Sequence, residues 1–180
     1  MYQKVLKIFS CFSGCTSQQK NNVDKETTVL SPLSLGVEYS DTVPFVPPVK
    51  EGFIVKVYDG DTITLAARLP IVPIEEQPIY RFSVRLNGID TPEIKGKDYD
   101  EKEAAKRARD FLSSHVMNKM VTLEDVKLEK YGRLLATVIS DSGKNMNQLM
   151  VKKRHAVAYD GGTKKSPVSW QKYYDTGALN

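Results

Sequence analysis

From Phe53 the chain alternates. Phe53, Val55 and Val57 are separated by other residues, Asp59-Gly60 offers a tight turn, and Ile63 and Leu65 resume the pattern. A period of two broken by Asp-Gly predicts a β-hairpin. Residues 69–78 hold three prolines and read as a long hairpin loop. Phe82, Val84 and Leu86 then mark a third strand, with Arg81, Ser83 and Arg85 on its other face. Over residues 100–117 the spacing turns helical. Ala104, Ala108, Phe111, Leu112 and Val116 form one stripe, and Glu101, Lys102, Lys106, Arg107 and Asp110 lie elsewhere on the helix. Residues 121–126 and 134–139, on either side of a turn at Tyr131-Gly132, give two more strands. Residues 145–154, carrying Met146, Leu149 and Met150, predict a second helix, and residues 168–174, after Pro167, a short third one. Five strands with helices inserted and appended, and no βαβ repeat, predict an α+β fold built on a small closed barrel.

Residues 1–50 show no such periodicity. Residues 16–24 are largely polar, and prolines punctuate Ser31-Pro32 and the stretch from Pro44 to Pro48. We read them as a flexible, disordered N-terminal leader, with residues 44–48 as an extended linker into a domain over residues 51–176. The first fifteen residues differ, combining Lys4 and Lys7 with Val5, Leu6, Ile8, Phe9 and Phe12, then Cys11 and Cys15. They fit a membrane-surface segment acylated at Cys11 or Cys15, a short lipoprotein signal ending at Cys15, or an ordinary disordered start. The expected location is cytoplasmic or membrane-associated through this segment, with export as a lipoprotein the lesser alternative. Position 2 is Tyr2, not glycine, which argues against myristoylation. No apolar run approaches the roughly 20 residues a spanning helix needs.

Composition changes the picture mainly by exclusion. The 26 basic and 22 acidic side chains leave a net +4, which suits a polyanionic partner without requiring one. Both cysteines fall in the leader, so the domain has neither a disulfide framework nor a cysteine metal site. Of the two histidines, His115 is expected to pack on its helix, and His155, after Lys152-Lys153-Arg154, to sit at a solvated basic helix end. Chemistry in this domain therefore falls to carboxylates and arginines.

Three segments place charge where a core strand or simple turn does not need it. Asp59-Gly60-Asp61-Thr62 is accounted for as a hairpin turn except for Asp61, a second carboxylate entering the next strand. The run from Arg85 through Asn87-Gly88 to Asp90-Thr91-Pro92-Glu93 is either a surface strand end with an Asx-type turn or a stiff loop displaying two carboxylates. Lys130-Tyr131-Gly132-Arg133 launches an arginine at the start of an apolar strand. Together the set suits phosphodiester chemistry. Carboxylates and a main-chain carbonyl satisfy a hard cation, two guanidiniums can clamp phosphoryl oxygens, and a further carboxylate can orient a water. Asp61, Asp90, Glu93, Arg85 and Arg133 are the minimum kit.

These stretches, Val57-Tyr-Asp-Gly-Asp-Thr62, Arg85-Leu-Asn-Gly-Ile-Asp-Thr-Pro-Glu93 and Lys130-Tyr-Gly-Arg133, resemble in order the three signature segments of the thermonuclease (staphylococcal nuclease) family. Asn147 and Ala156-Val-Ala-Tyr159 also match, and the resemblance covers residues 52–175. It implies an OB-type five-stranded barrel with three helices. It implies Ca²⁺ held by Asp61, Asp90 and the carbonyl of Thr91, Glu93 as general base or water-orienting group, and Arg85 with Arg133 on the scissile phosphate. Tyr131 and Tyr159 match tyrosines near the bound nucleotide. In-line water attack on DNA or RNA, leaving 3′-phosphates, follows from the same resemblance. The chain departs from secreted bacterial members in three places: a shorter, differently charged loop after Glu93, a longer loop at 69–78, and Asp160-Gly-Gly-Thr-Lys-Lys165 where some members carry a second tyrosine.

Two other functions are weighed. A non-catalytic nucleic-acid- or protein-binding barrel has no need to retain all five charged positions. A restriction-type nuclease, suggested by Glu93-Ile94-Lys95, requires a mixed sheet that the hairpin over residues 53–65 opposes. An interaction protein acting through its leader explains none of the charged motifs. A monomer is expected.

Overall fold

The computed structural model describes residues 36–71 and 78–180. The chain forms two compact units, Met1–Thr42 and Val43–Asn180. The described part of the first holds a single 3₁₀ turn, Tyr39–Asp41. The expected leader, with Cys11 and Cys15, and the middle of the 69–78 loop lie for the most part outside the described residues.

The second unit contains strands β1 (Glu51–Val57), β2 (Thr62–Ala67), β3 (Tyr80–Leu86), β4 (Ile89–Asp90), β5 (Met120–Leu128), β6 (Leu134–Ser140) and β7 (Val157–Ala158). Its helices are α1 (Tyr99–Val116), α2 (Met146–Lys152) and α3 (Trp170–Thr176). Five strands close a barrel in the order β1-β2-β3-β6-β5. Every barrel pairing is antiparallel except β3 with β6, where Val84 pairs with Leu134 and Arg85 with Leu135. This is the OB-type α+β barrel with three helices that the sequence predicts. Among the described residues no helix is long and apolar enough to cross a membrane.

Alternation fills the barrel with Ile63 and Leu65 from β2, Val84 and Leu86 from β3, Val121 and Leu123 from β5, and Leu134, Ala136 and Val138 from β6. In β1 the buried residue is Ile54, whereas Phe53 and Val55 are each 40% exposed. The register of β1 against β2 shifts between Ile54 and Lys56, so Val57 changes phase relative to Val55. Gly52 belongs to the inward face because a Cβ there would lie 2.7 Å from Leu65 and from the Ala66 carbonyl.

Asp98 caps α1 by accepting the Glu101 N–H at 2.8 Å. The helix buries Ala104, Ala105, Ala108, Leu112 and Val116. α3 begins at Trp170, two residues later than its predicted start, because Ser169 supplies the cap and also donates to Asp100 of α1 at 3.0 Å. Trp170 and Tyr173 bury themselves with Ala104 and Val157.

His155 corrects the expectation of a solvated helix end. Arg154 takes a left-handed φ of 60°, which turns the chain inward after α2. His155 is buried, its ring 4.4 Å from that of Phe111 and 5.1 Å from that of Tyr174. Burial pushes its pKa down to about 4, helped by the charge of Arg107 and Lys153. His115 packs on its own helix as expected, with its ring 4.6 Å from Phe111.

Candidate active site

The β1–β2 turn is built by close approach. Tyr58 donates to the Thr62 carbonyl at 2.8 Å, and Asp61 donates its N–H to the Asp59 carboxylate at 3.2 Å. A Cβ on Gly60 would lie 2.8 Å from Ala108 of α1 and 3.0 Å from Thr91. Gly60 therefore lets the turn press against both the helix and the next loop, which brings Asp61 toward Thr91.

β2 pairs with β3 so that Thr62 faces Arg85, and the Leu86 N–H donates to the Asp61 carbonyl at 2.8 Å. The Arg85 guanidinium consequently lies between two carboxylates. Nη1 is 2.5 Å from Asp61, and Nη2 is 3.3 Å from both Asp90 and the Ile89 carbonyl. Gly88, at φ 78°, turns the chain from β3 into β4. β4 pairs with β7, matching Asp90 to Val157, and Tyr159 donates its N–H to the Gly88 carbonyl at 3.0 Å. This two-stranded ladder, which periodicity does not reveal, fixes both Asp90 and Tyr159.

Asp61, Asp90 and Thr91 are all buried, whereas Glu93 has a half-exposed side chain. The loop behind Glu93 is tied to α1 because Glu101 accepts the N–H groups of Glu93 and Lys97 at 3.4 and 2.9 Å. Burial raises the Asp61 pKa to about 7, against the opposing charge of Arg85 and with a further push from Asp59. A carboxylate whose desolvation outweighs its arginine stands to gain from more positive charge.

Arg133 lies just before β6, beside β3. Its Nε and Nη2 donate to the two Glu129 oxygens at 2.6 and 2.9 Å. That bond is the main cause of its raised pKa, with smaller contributions from the charges of Asp61 and Asp59. Tyr131, by contrast, is 73% exposed, with the Lys130 ammonium 4.8 Å from its ring centre. Tyr159 donates its hydroxyl to the Gly162 carbonyl at 2.9 Å. It lines an open cleft of about 510 Å³ with Arg85, Gly88, Lys130 and Asp160.

A second cleft, of about 430 Å³, is lined by Asp90, Thr91, Glu93, Lys97 and Lys164. Lys164 is the contact that motif reasoning missed. Its ammonium is 2.8 Å from Asp90 and 3.3 Å from Glu93. Partial burial opposes its charge, but the bond to Asp90 and then Glu93 outweigh this and raise its pKa. Glu129 was missed too, because it meets Arg133 across the turn between β5 and β6 and not along a helix.

The structure thus gathers Asp61, Arg85, Asp90, Thr91 and Glu93, with Arg133 in the turn just before β6 and Tyr159 in the neighbouring cleft. Tyr131 projects away into solvent. The sequence model of the family described as staphylococcal nuclease homologue matches residues 83–175, more than half of the chain. The chain belongs to the staphylococcal nuclease family. Among its relatives in that family, an uncharacterized endonuclease of Escherichia coli O157:H7 is 35% identical over 109 residues, covering 61% of each chain. A thermonuclease of Staphylococcus hyicus is 36% identical over 87 residues, 47% of this chain and 46% of its own. Endonuclease YhcR of Bacillus subtilis is 32% identical over 117 residues, 61% of this chain but 9% of the larger protein. The first of these relatives is thus matched over about three fifths of its length.

Among the described residues no three or more carboxylate, histidine or cysteine side chains surround one point. A cation here would rest on two carboxylates and on main-chain and water oxygens. The desolvated Asp61 and the all-oxygen donor set fit a hard divalent ion.

Proposed function

We propose that this staphylococcal nuclease domain is a Ca²⁺-dependent endonuclease that hydrolyses phosphodiester bonds of DNA, RNA or both and leaves 3′-phosphate ends. The observation that carries this reading is the Arg85 guanidinium held between Asp61 and Asp90, with a second guanidinium braced by Glu129 just before β6. The names of the endonuclease and thermonuclease relatives support it.

Asp61, Asp90 and the Thr91 carbonyl would hold the ion. When bound, Ca²⁺ would supply Lewis-acid stabilisation of phosphoryl charge. Glu93, half-exposed beside the buried carboxylates, orients the attacking water and accepts its proton. Arg85 and Arg133 meet the charge that grows on the phosphoryl oxygens. Arg133 engages Glu129 through its Nε–Nη2 edge, which leaves Nη1 for a phosphate oxygen. Tyr159 stands at the wall of the adjoining cleft, where a base can lie, and Tyr131 reaches the nucleotide only if its exposed ring swings inward.

The test is cleavage of a defined oligonucleotide with and without Ca²⁺, with the product ends identified. Metal-dependent products ending in 3′-phosphate support the proposal. Binding of an intact oligonucleotide points instead to a non-catalytic module, and full activity in excess chelator removes the Ca²⁺ requirement.

A further inference from the structure

Lys164 belongs to none of the three charged motifs, yet it makes the shortest contact that any lysine makes to Asp90 or Glu93. Its position is built rather than accidental. The loop that carries it is pinned on one side by the Tyr159 hydroxyl on the Gly162 carbonyl and by the Gly162 N–H on Asp160. On the other side Pro167 is buried and Ser169 is bonded to Asp100 of α1. Between these anchors, Lys164 enters the cleft of Asp90, Thr91 and Glu93, while Lys165 lines the cleft of Tyr159 and Asp160.

An ammonium 2.8 Å from a nearly fully buried carboxylate occupies the electrostatic place of a cation. We propose that Lys164 is a tethered counter-ion that competes with the divalent metal for Asp90, so that the metal binds only when the ammonium withdraws. This rests on the assignment of Asp90 as a metal ligand. Withdrawal is sterically cheap, because the Lys164 side chain is 46% exposed at the cleft mouth and is a flexible stem. The ammonium offsets part of the carboxylate charge of the metal-free site, and it lowers the apparent metal affinity below what the same oxygens would give alone.

Calorimetric titration of the purified full chain with CaCl₂, without nucleic acid, tests this directly. Lys164→Met keeps the stem and removes the charge, and it should tighten Ca²⁺ binding about tenfold, the factor that about 1.4 kcal/mol represents. Lys164→Arg should stay within about threefold of the parent, about 0.7 kcal/mol. Lys165→Met, which removes the same charge one residue away, should change affinity by less than about threefold. Asp90→Asn should weaken binding in every background. If Lys164→Met leaves the affinity unchanged while Asp90→Asn lowers it, the competition is overturned and the metal site survives. Equal tightening by Lys165→Met also overturns it, because the effect is then one of net charge. If no Ca²⁺ binding depends on Asp90, the site assignment fails and the competition fails with it.

Discussion

Glu129 grips Arg133 edge to edge, with two parallel hydrogen bonds of 2.6 and 2.9 Å that set the plane of the guanidinium before any phosphate arrives. A bidentate pair of this kind restricts the long arginine stem, so less orientation entropy remains to be lost when charge develops on substrate. Glu129→Ala should therefore lower kcat/KM by about tenfold. Arg133→Ala should cost more, about 10²-fold or beyond, because it removes the charge itself. Steady-state kinetics on one oligonucleotide, with circular dichroism as the folding control, separates the two. Equal losses would mean that Glu129 acts on the reaction directly.

Glu93 stands apart from the buried carboxylates in its exposure, which makes it the group that water reaches. Glu93→Gln keeps the shape and removes the basicity. It should reduce kcat by about 10²-fold or more with the melting temperature little changed. Turnover close to the parent would remove Glu93 from its assigned role.

Asn147 supplies structure at the site without chemistry. Its Oδ1 accepts the Val138 N–H at 2.9 Å, and its Nδ2 donates to the carbonyls of Asn87 and Ala136 at 2.7 and 3.1 Å. One buried amide thus ties α2 to β6 and to the turn that leads into Asp90. Asn147→Ala takes the partner from the Val138 N–H and the Asn87 carbonyl, while the Ala136 carbonyl keeps the Asn87 N–H, and it should destabilise the domain by about 2–4 kcal/mol. Urea denaturation measures this. A loss below about 0.5 kcal/mol would show that water replaces the amide at little cost.

His155 predicts an acid-sensitive fold. Its native pKa lies near 4, below the ordinary 6.5, so between those values the unfolded chain takes up a proton that the folded chain refuses. Stability is therefore fully present above about pH 6.5 and is lost as pH falls toward 4, by about 2–3 kcal/mol. Denaturation at a series of pH values, on the parent and on His155→Gln, should show this component only in the parent. Parallel curves would contradict the assignment.

The barrel was legible because strands such as β2 and β6 repeat with a period of two and the helix between Glu93 and Met120 repeats near 3.6. Arg85, Asp90 and Glu93 were legible because they crowd one short run around a glycine and a proline. The partners of Arg133 and Asp90 were harder to see. Lys164 reaches Asp90 across a large separation in sequence, and the β4–β7 ladder that orients Asp90 is too short to leave a periodic signal. His155 was misjudged because local charge after Lys152 suggests solvent, whereas the left-handed turn at Arg154 decides the direction of the ring. The inward face of β1 was obscured in the same way, by a bulge that alternation does not announce.

The parallel pairing of β3 with β6 has a consequence for how this domain tolerates change. Because Val84 lies against Leu134 and Arg85 against Leu135, Arg133 enters β6 two residues before the partner of Arg85. Surface turns of the intervening stretch other than the one that carries Glu129 can change in length without altering that register. Deletion of Leu134 would instead move Arg133 by one position against β3 and change its face. The spacing of the arginines is thus a property of strand register together with the one turn that holds Glu129.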